Sequence, residues 1–178
     1  LPSNLGLTVG PNIDYVLVKT FNPYTHLPIL VILAKNLLGK YFKTEGENGD
    51  FANYNAETKI IPWKILTEFK GEKIEECRYE QLLKTEAGKK ENSGGDPFRV
   101  IIGDFVTTED GTGIVHTAPA FGADDFKVGK KNNLGILTLV DKEGKFVDGV
   151  GEFSGRYVKN YKDDPNYIDV NVDISVKL

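Results

Sequence analysis

The sequence predicts a mixed α/β fold, rich in strands, with barrel-like closure and short helices at its periphery. Three observations point there. Short alternating or β-branched runs recur along the chain, as in IDYVLVKT and LPILVILA. Glycine is abundant, at 19 of 178 residues, and supplies turns between those runs. Helix-like stretches are few and short.

The elements follow in chain order. Leu5–Val9 alternates loosely and reads as a strand. Ile13–Thr20 alternates more clearly, with Ile13, Tyr15 and Leu17 on one side. Leu27–Ala34 is a continuous apolar run and reads as a buried strand. Asn22-Pro23 lies between these two and predicts a hairpin-like connection. Lys35–Phe42 reads as a short helix. Residues 44–58, TEGENGDFANYNAET, are polar and predict an exposed insertion or a mobile hairpin within a single domain spanning residues 1–178. Ile60–Lys70 returns as a strand broken by Pro62. Lys84–Pro97 reads as a loop, with Lys89-Lys90-Glu91 solvated. Phe98–Val106 reads as a core strand. Thr107–Gly113 reads as a hairpin turning on Asp110-Gly111, with Ile114–Thr117 as its returning strand. Asp124–Asn132 reads as a short helix with an acidic first turn. Ile136–Val140 reads as a further strand, Asp141–Phe146 as a glycine turn. Asp169–Leu178 alternates as DVNVDISVKL and reads as a strand with one solvated side.

Composition narrows the function. A 40% hydrophobic share over 178 residues supplies a core without covalent staples. The single cysteine, Cys77, excludes an internal disulfide framework and a cysteine-based zinc site. The histidines are His26 and His116, so a zinc site would need carboxylates, and no HExxH pattern appears. No apolar run approaches the roughly 20 residues of a membrane helix. A reducing, cytoplasmic setting fits. The net charge of −4 is a poor footprint for unaided nucleic-acid binding. The chain lacks methionine and starts at Leu1, and the expectation is a piece of a longer protein.

The chemistry concentrates in Gly111–Phe126, GTGIVHTAPAFGADDF. Gly111 and Gly113 allow close backbone approach to a ligand. His116 ends a strand. Asp124 and Asp125 open a helix, where anions are stabilised. By themselves these residues name no reaction, and each has a plainer reading. Asp125 and Asp124 suit helix starts, His116 a half-buried imidazole, the glycines and Asn4 turns. Thr107 and Thr108 read as hairpin residues, Trp63 as packing, His26 as an exposed loop residue.

The same segment resembles the signature of the editing domain of the isoleucyl-tRNA synthetases, of bacterial type. That domain is a connective polypeptide inserted into the class I catalytic fold. Valyl and leucyl enzymes carry similar segments, typically with lysine or methionine in place of His116. Other stretches agree: LPSN at Leu1–Asn4 resembles the end of the family's threonine-rich motif TTTPWTLPxN, Arg78-Tyr79-Glu80 its RYEP-like turn, and Gly144–Val158 its later G-K-F … F-x-G-x-x-V stretch. Residues 44–58 match nothing general in that family.

The resemblance implies hydrolysis of the ester of isoleucine tRNA mischarged with valine. One methylene in a hydrophobic pocket is worth only about 10–200-fold in selectivity, so a second, size-excluding site is needed. Asp125 matches the aspartate that binds the substrate's α-ammonium, a charge-assisted contact. His116 matches a histidine near the terminal ribose and the aminoacyl group. Asn4 matches a polar pocket residue. Gly111, Thr112 and Gly113 match the close-packed wall, and Thr117, Ala118 and Asp124 belong to the same substrate-binding segment. The implied partners are the aminoacylated end of isoleucine tRNA, valine or valyl-adenylate as the edited group, and the rest of the synthetase. No cofactor is implied in this domain; ATP and magnesium serve the parent enzyme. The consecutive threonines of the motif and the HIGH and KMSKS motifs of aminoacylation are not in the chain. A non-catalytic module holding the tRNA end, or the editing domain of a valyl or leucyl enzyme, are the alternatives.

Overall fold

The computed structural model describes residues 2–161 and 164–178. Among the described residues, six strands and four helices form a mixed α/β arrangement. In order they are β1 (Gly6–Val9), β2 (Asp14–Phe21), β3 (Pro28–Ala34), α1 (Leu38–Tyr41), β4 (Lys64–Lys70), α2 (Lys90–Ser93), β5 (Arg99–Ile102), β6 (Ile114–Thr117), α3 (Ala123–Lys131) and α4 (Val170–Lys177). The strands form two three-stranded sheets, ordered β5-β1-β6 and β3-β2-β4, rather than a closed barrel.

The chain divides into two compact units. The first comprises Leu1–Leu7, Glu76–Ile101 and His116–Leu178; the second comprises Thr8–Glu75 and Ile102–Val115. The chain passes between them within β1, β5 and β6.

The second unit is built on the hairpin that Asn22 predicts. β2 and β3 pair antiparallel from Tyr15↔Ala34 to Phe21↔Pro28. Asn22 closes the turn: its Oδ1 accepts the amides of Tyr24 and Thr25 at 2.8 and 3.0 Å. β4 pairs with the other side of β2, with an irregularity between Leu17 and Val18. Val16, Val18, Leu33 and Trp63 form the core. β3 is not the buried strand its apolar run suggests. It lies at the sheet edge, so Leu30 stays 58% exposed and only Leu33 and Ala34 are buried. Residues 44–58 form a one-turn 3-10 helix and bends, not a hairpin. They lie against the β2–β3 turn: Tyr54 stacks on Phe21 at 4.2 Å, and its hydroxyl meets His26 Nδ1 at 2.7 Å.

The first unit packs Leu5, Ile101, Val128, Leu134, Phe146 and Phe153 into one core. Three sequence expectations change here. Ile136–Val140 buries Leu137 and Leu139 in alternation as a strand would, but it has only an isolated bridge, Val140↔Phe146, and no partner strand. Lys84–Pro97 contains a turn of helix, α2, ended by Gly94 in the left-handed region (φ 70°). Asp169–Leu178 is the helix α4, not a strand. Its apolar residues recur every second position, which satisfies the helical i, i+4 spacing at Val170 and Ile174 as well as a strand period. Those two enter the core, while Val172 and Val176 remain exposed. Asp169 caps the helix: its carboxylate accepts the Asn171 amide at 2.9 Å.

The expected hairpin between Phe98–Val106 and Ile114–Thr117 is also absent, because β1 lies between β5 and β6. β1 supplies hydrogen bonds on both sides. Leu5 N–H donates to Thr117 C=O at 3.0 Å, and Phe98 N–H donates to Leu5 C=O at 2.7 Å. The turn at Gly111 does form, with φ 63°. No helix among the described residues is long and apolar enough to cross a membrane.

The C-terminal assignment is tested by truncating side chains and following urea denaturation. Ile174→Ala is expected to cost about 2–5 kcal/mol. Val176→Ala is expected to change stability by less than about 0.5 kcal/mol. Equal effects at both positions would contradict a helix packed on one face.

Candidate functional site

The sequence-predicted residues fall in both units. His116, Thr117, Ala118, Asp124, Asp125 and Asn4 belong to the first; Gly111, Thr112 and Gly113 belong to the second.

In the first unit, β6 delivers His116 and buried Thr117 to the start of a tight loop. The loop ends at Gly122, the N-cap of α3, which offers no side-chain cap of its own. Asp125 supplies the missing order. Its Oδ2 accepts the Ala118 amide at 2.8 Å, which ties the first turn of α3 back to the strand end. Among the described residues its Oδ1 has no donor, so one anionic oxygen stays open to a cation. Asp124 is exposed and pairs with Lys127 at 3.4 Å, along the outer face of α3.

His116 is exposed, yet its surroundings remove part of the ring's hydration and lower its pKa from the ordinary value. The Asp125 carboxylate opposes that shift. The imidazole is therefore neutral at pH 7 and offers one N–H donor and one acceptor.

Asn4 is half-buried and strongly held. Its amide nitrogen donates to Gly6 C=O at 2.9 Å, and its Oδ1 accepts from the Tyr79 hydroxyl. Tyr79 itself packs edge-on against Phe98. The Arg78-Tyr79-Glu80 turn is visible in the sequence, but the bond from Tyr79 to Asn4 is not, because it joins residues 75 positions apart.

In the second unit, the Gly111–Gly113 segment is fixed by aromatic hydroxyls. Tyr41 donates to Gly111 C=O at 2.8 Å, and Tyr15 donates to Gly113 C=O at 2.5 Å. Ala34 N–H donates to Thr112 C=O at 2.8 Å. Gly113 has φ 77°, and a Cβ there would stand 2.6 Å from that of Ala34. Glycine is required on both counts. Thr112 lines a pocket of about 440 Å³ with largely apolar walls that include Phe21, Val31, Leu33, Tyr41 and Phe42. Thr107 and Thr108 lie in the preceding bend, where Thr108 Oγ1 accepts from the Asn36 amide at 2.7 Å. Among the described residues no group of three or more His, Cys, Asp or Glu side chains is placed to hold a metal ion.

The first unit thus offers an open carboxylate oxygen, a neutral imidazole and a constrained loop. That set has the chemistry to hold an ammonium and a hydroxyl. The second unit offers a rigid backbone segment beside an apolar pocket.

Two tests follow from this geometry. An NMR titration of the chain should place the His116 pKa below 6.5, and Asp125→Asn should lower it further. The folded ring takes its proton at lower pH than the unfolded one, so stability from this group is full above the ordinary value and falls as pH drops toward the folded value. A raised His116 pKa, or a rise in Asp125→Asn, would contradict the assigned surroundings. Gly113→Ala should destabilise the chain by more than about 1 kcal/mol, and Gly111→Ala, where no atom lies within 4 Å, by less.

No protein-family model matches the chain. Curated relatives match along its whole length. It is 47% identical over 175 residues to the isoleucine–tRNA ligase of Porphyromonas gingivalis, covering 98% of this chain and 15% of that protein. It is 46% identical over 201 residues to that of Cytophaga hutchinsonii, covering 100% and 18%. With the Clostridium tetani protein of the same name the identity is 45% over 159 residues, 89% and 13%. The chain therefore spans under a fifth of the length of these relatives. A solved structure described as GlLeuRS-CP1 aligns over 73% of this chain and 41% of its own, with 16% identity and a TM-score of 0.40, too slight a likeness to bear on function.

Proposed function

Because the chain belongs to the isoleucine–tRNA ligase family and spans under a fifth of its relatives' length, we propose that it is the segment that hydrolyses valine wrongly esterified to isoleucine tRNA. The observation that carries this reading is the Gly111–Phe126 signature, in which the Asp125 carboxylate interacts with His116 and has no donor on Oδ1 among the described residues. The proposed partners are the aminoacylated tRNA end, with valine or valyl-adenylate as the edited group, and the remainder of the synthetase. A cytoplasmic location, where tRNA is charged, goes with the reading.

The chemistry needs little beyond placement. The substrate's α-ammonium binds the open Asp125 Oδ1, a charge-assisted contact that fixes the aminoacyl group. Neutral His116 hydrogen-bonds a ribose hydroxyl of the terminal nucleotide. Water attacks the ester carbonyl carbon, the bond from that carbon to the ribose oxygen breaks, and the ribose oxygen takes up the proton. The products are free valine and tRNA with its terminal hydroxyl restored. Positioning and polarisation supply the rate, and no side chain is assigned as general base. No cofactor is assigned to this step. ATP and magnesium are proposed for the charging reaction of the longer enzyme.

The net charge of −4 fits a division of labour. The bulk of the phosphate contacts falls to other parts of the synthetase, and this segment handles only the reacting end.

A deacylation assay on the full-length synthetase carrying this segment tests the proposal. Valine should be released from isoleucine tRNA while isoleucine is retained. Asp125→Ala should slow valine release about 10- to 100-fold, the scale of a lost hydrogen bond to a charged group. Failure of the wild-type enzyme to release valine would overturn the function. Unchanged selectivity in Asp125→Ala would overturn the role of that residue.

A further inference from the structure

Tyr79 stands outside the signature, yet the first unit's hydrogen bonds converge on it. Its amide donates to Phe98 C=O at 3.1 Å, and its ring meets that of Phe98 edge-on. Its hydroxyl donates to Asn4 Oδ1. Donation by the phenol fixes the Asn4 amide in one orientation, with Oδ1 as acceptor and Nδ2 as donor. Nδ2 then holds Gly6 C=O, which leaves its second N–H without a partner among the described residues. The next residue, Leu5, donates to Thr117 C=O. Thr117 is flanked by His116 and by Ala118, whose amide binds Asp125. One connected path thus runs from the Tyr79 hydroxyl through Asn4, Leu5 and Thr117 to the open carboxylate.

Two further features bear on this path. Burial pushes the Tyr79 pKa far above the ordinary phenol range, so the group remains a donor across the pH range of the protein. Phe98, which receives the Tyr79 amide, is held at φ 61°, a conformation that a bulky residue adopts only when its surroundings require it.

We propose that Tyr79 is a positioning residue for hydrolysis: it clamps the Asn4 side chain, keeps the remaining Asn4 N–H available to a substrate oxygen, and steadies the segment that bonds to Thr117 between His116 and Ala118. The proposal rests on the editing function given above. It assigns to Tyr79 a role acting through Asn4, not contact with the substrate.

The test is a double-mutant cycle in the full-length synthetase, read by deacylation of valine-charged isoleucine tRNA. Tyr79→Phe retains the ring against Phe98 and removes only the hydroxyl. It should lower kcat about 10- to 100-fold, the range that a small misplacement of reacting groups produces, with KM little changed. Asn4→Ala should lower kcat comparably, and the double variant should be no slower than Asn4→Ala alone. Additive losses in the double variant, or a wild-type kcat in Tyr79→Phe, would overturn the role of Tyr79 while leaving the editing function standing. Absence of hydrolysis in the wild-type enzyme would instead overturn the function beneath it. Amide exchange in the 178-residue chain gives a readout independent of activity. The Leu5 amide should exchange at least about tenfold faster in Tyr79→Phe as the segment loosens. An unchanged Leu5 rate would overturn the clamp.

Discussion

The first unit depends on how Leu5 is held. Its side chain is fully buried in the core, its amide donates to Thr117 and its carbonyl accepts from Phe98. Side chains alternate along an extended segment, so a slip of one residue would expel Leu5 and present its polar neighbour to the core. The register of residues 4–6 is therefore fixed by hydrophobic burial and by hydrogen bonds on both sides. Gly6 belongs to the same constraint, because a Cβ there would stand 2.7 Å from a methyl of Leu134. The positions of Thr117, and through it of His116 and Ala118, follow from this one segment.

From that anchor the site needs few further parts. The α3 start lacks a capping side chain at Gly122, and Asp125 restrains the turn from inside the helix. The same carboxylate thereby serves structure with one oxygen and remains open with the other. The helix-terminal description of Asp125 therefore holds on one oxygen, and the proposed substrate contact uses the other. His116 is tuned in two directions, downward by lost hydration and upward by Asp125, which keeps it a neutral hydrogen-bonding group. A neutral imidazole beside a carboxylate suits recognition of an ammonium and a hydroxyl on one small ligand.

What was legible in the sequence follows the range of the interaction responsible. The Asn22 turn, the Gly111 turn and the α3 start are local, and each is visible in a few consecutive residues. The Gly111–Phe126 signature is equally local, so the candidate site rests on consecutive residues alone. Insertion of β1 between β5 and β6 was not legible, because it joins segments about a hundred residues apart, and a hairpin is the simpler reading of adjacent strands. The α4 segment misled for a different reason. Its every-second-residue valines and isoleucine fit two periods, and only the core around Val170 and Ile174 selects one. Tyr79 was hidden because its hydroxyl serves a residue 75 positions away.

The central claim is that Asp125 and His116 receive an aminoacylated ribose and distinguish valine from isoleucine. The most direct measurement is an NMR titration of this chain with the non-hydrolysable amide analogues of 3′-valyl and 3′-isoleucyl adenosine. The Ala118 amide, which reports on Asp125, and the His116 ring are the probes. Both should shift saturably with the valyl analogue and far less with the isoleucyl one. Equal responses to the two analogues, or shifts confined to residues away from His116 and Ala118, would contradict it.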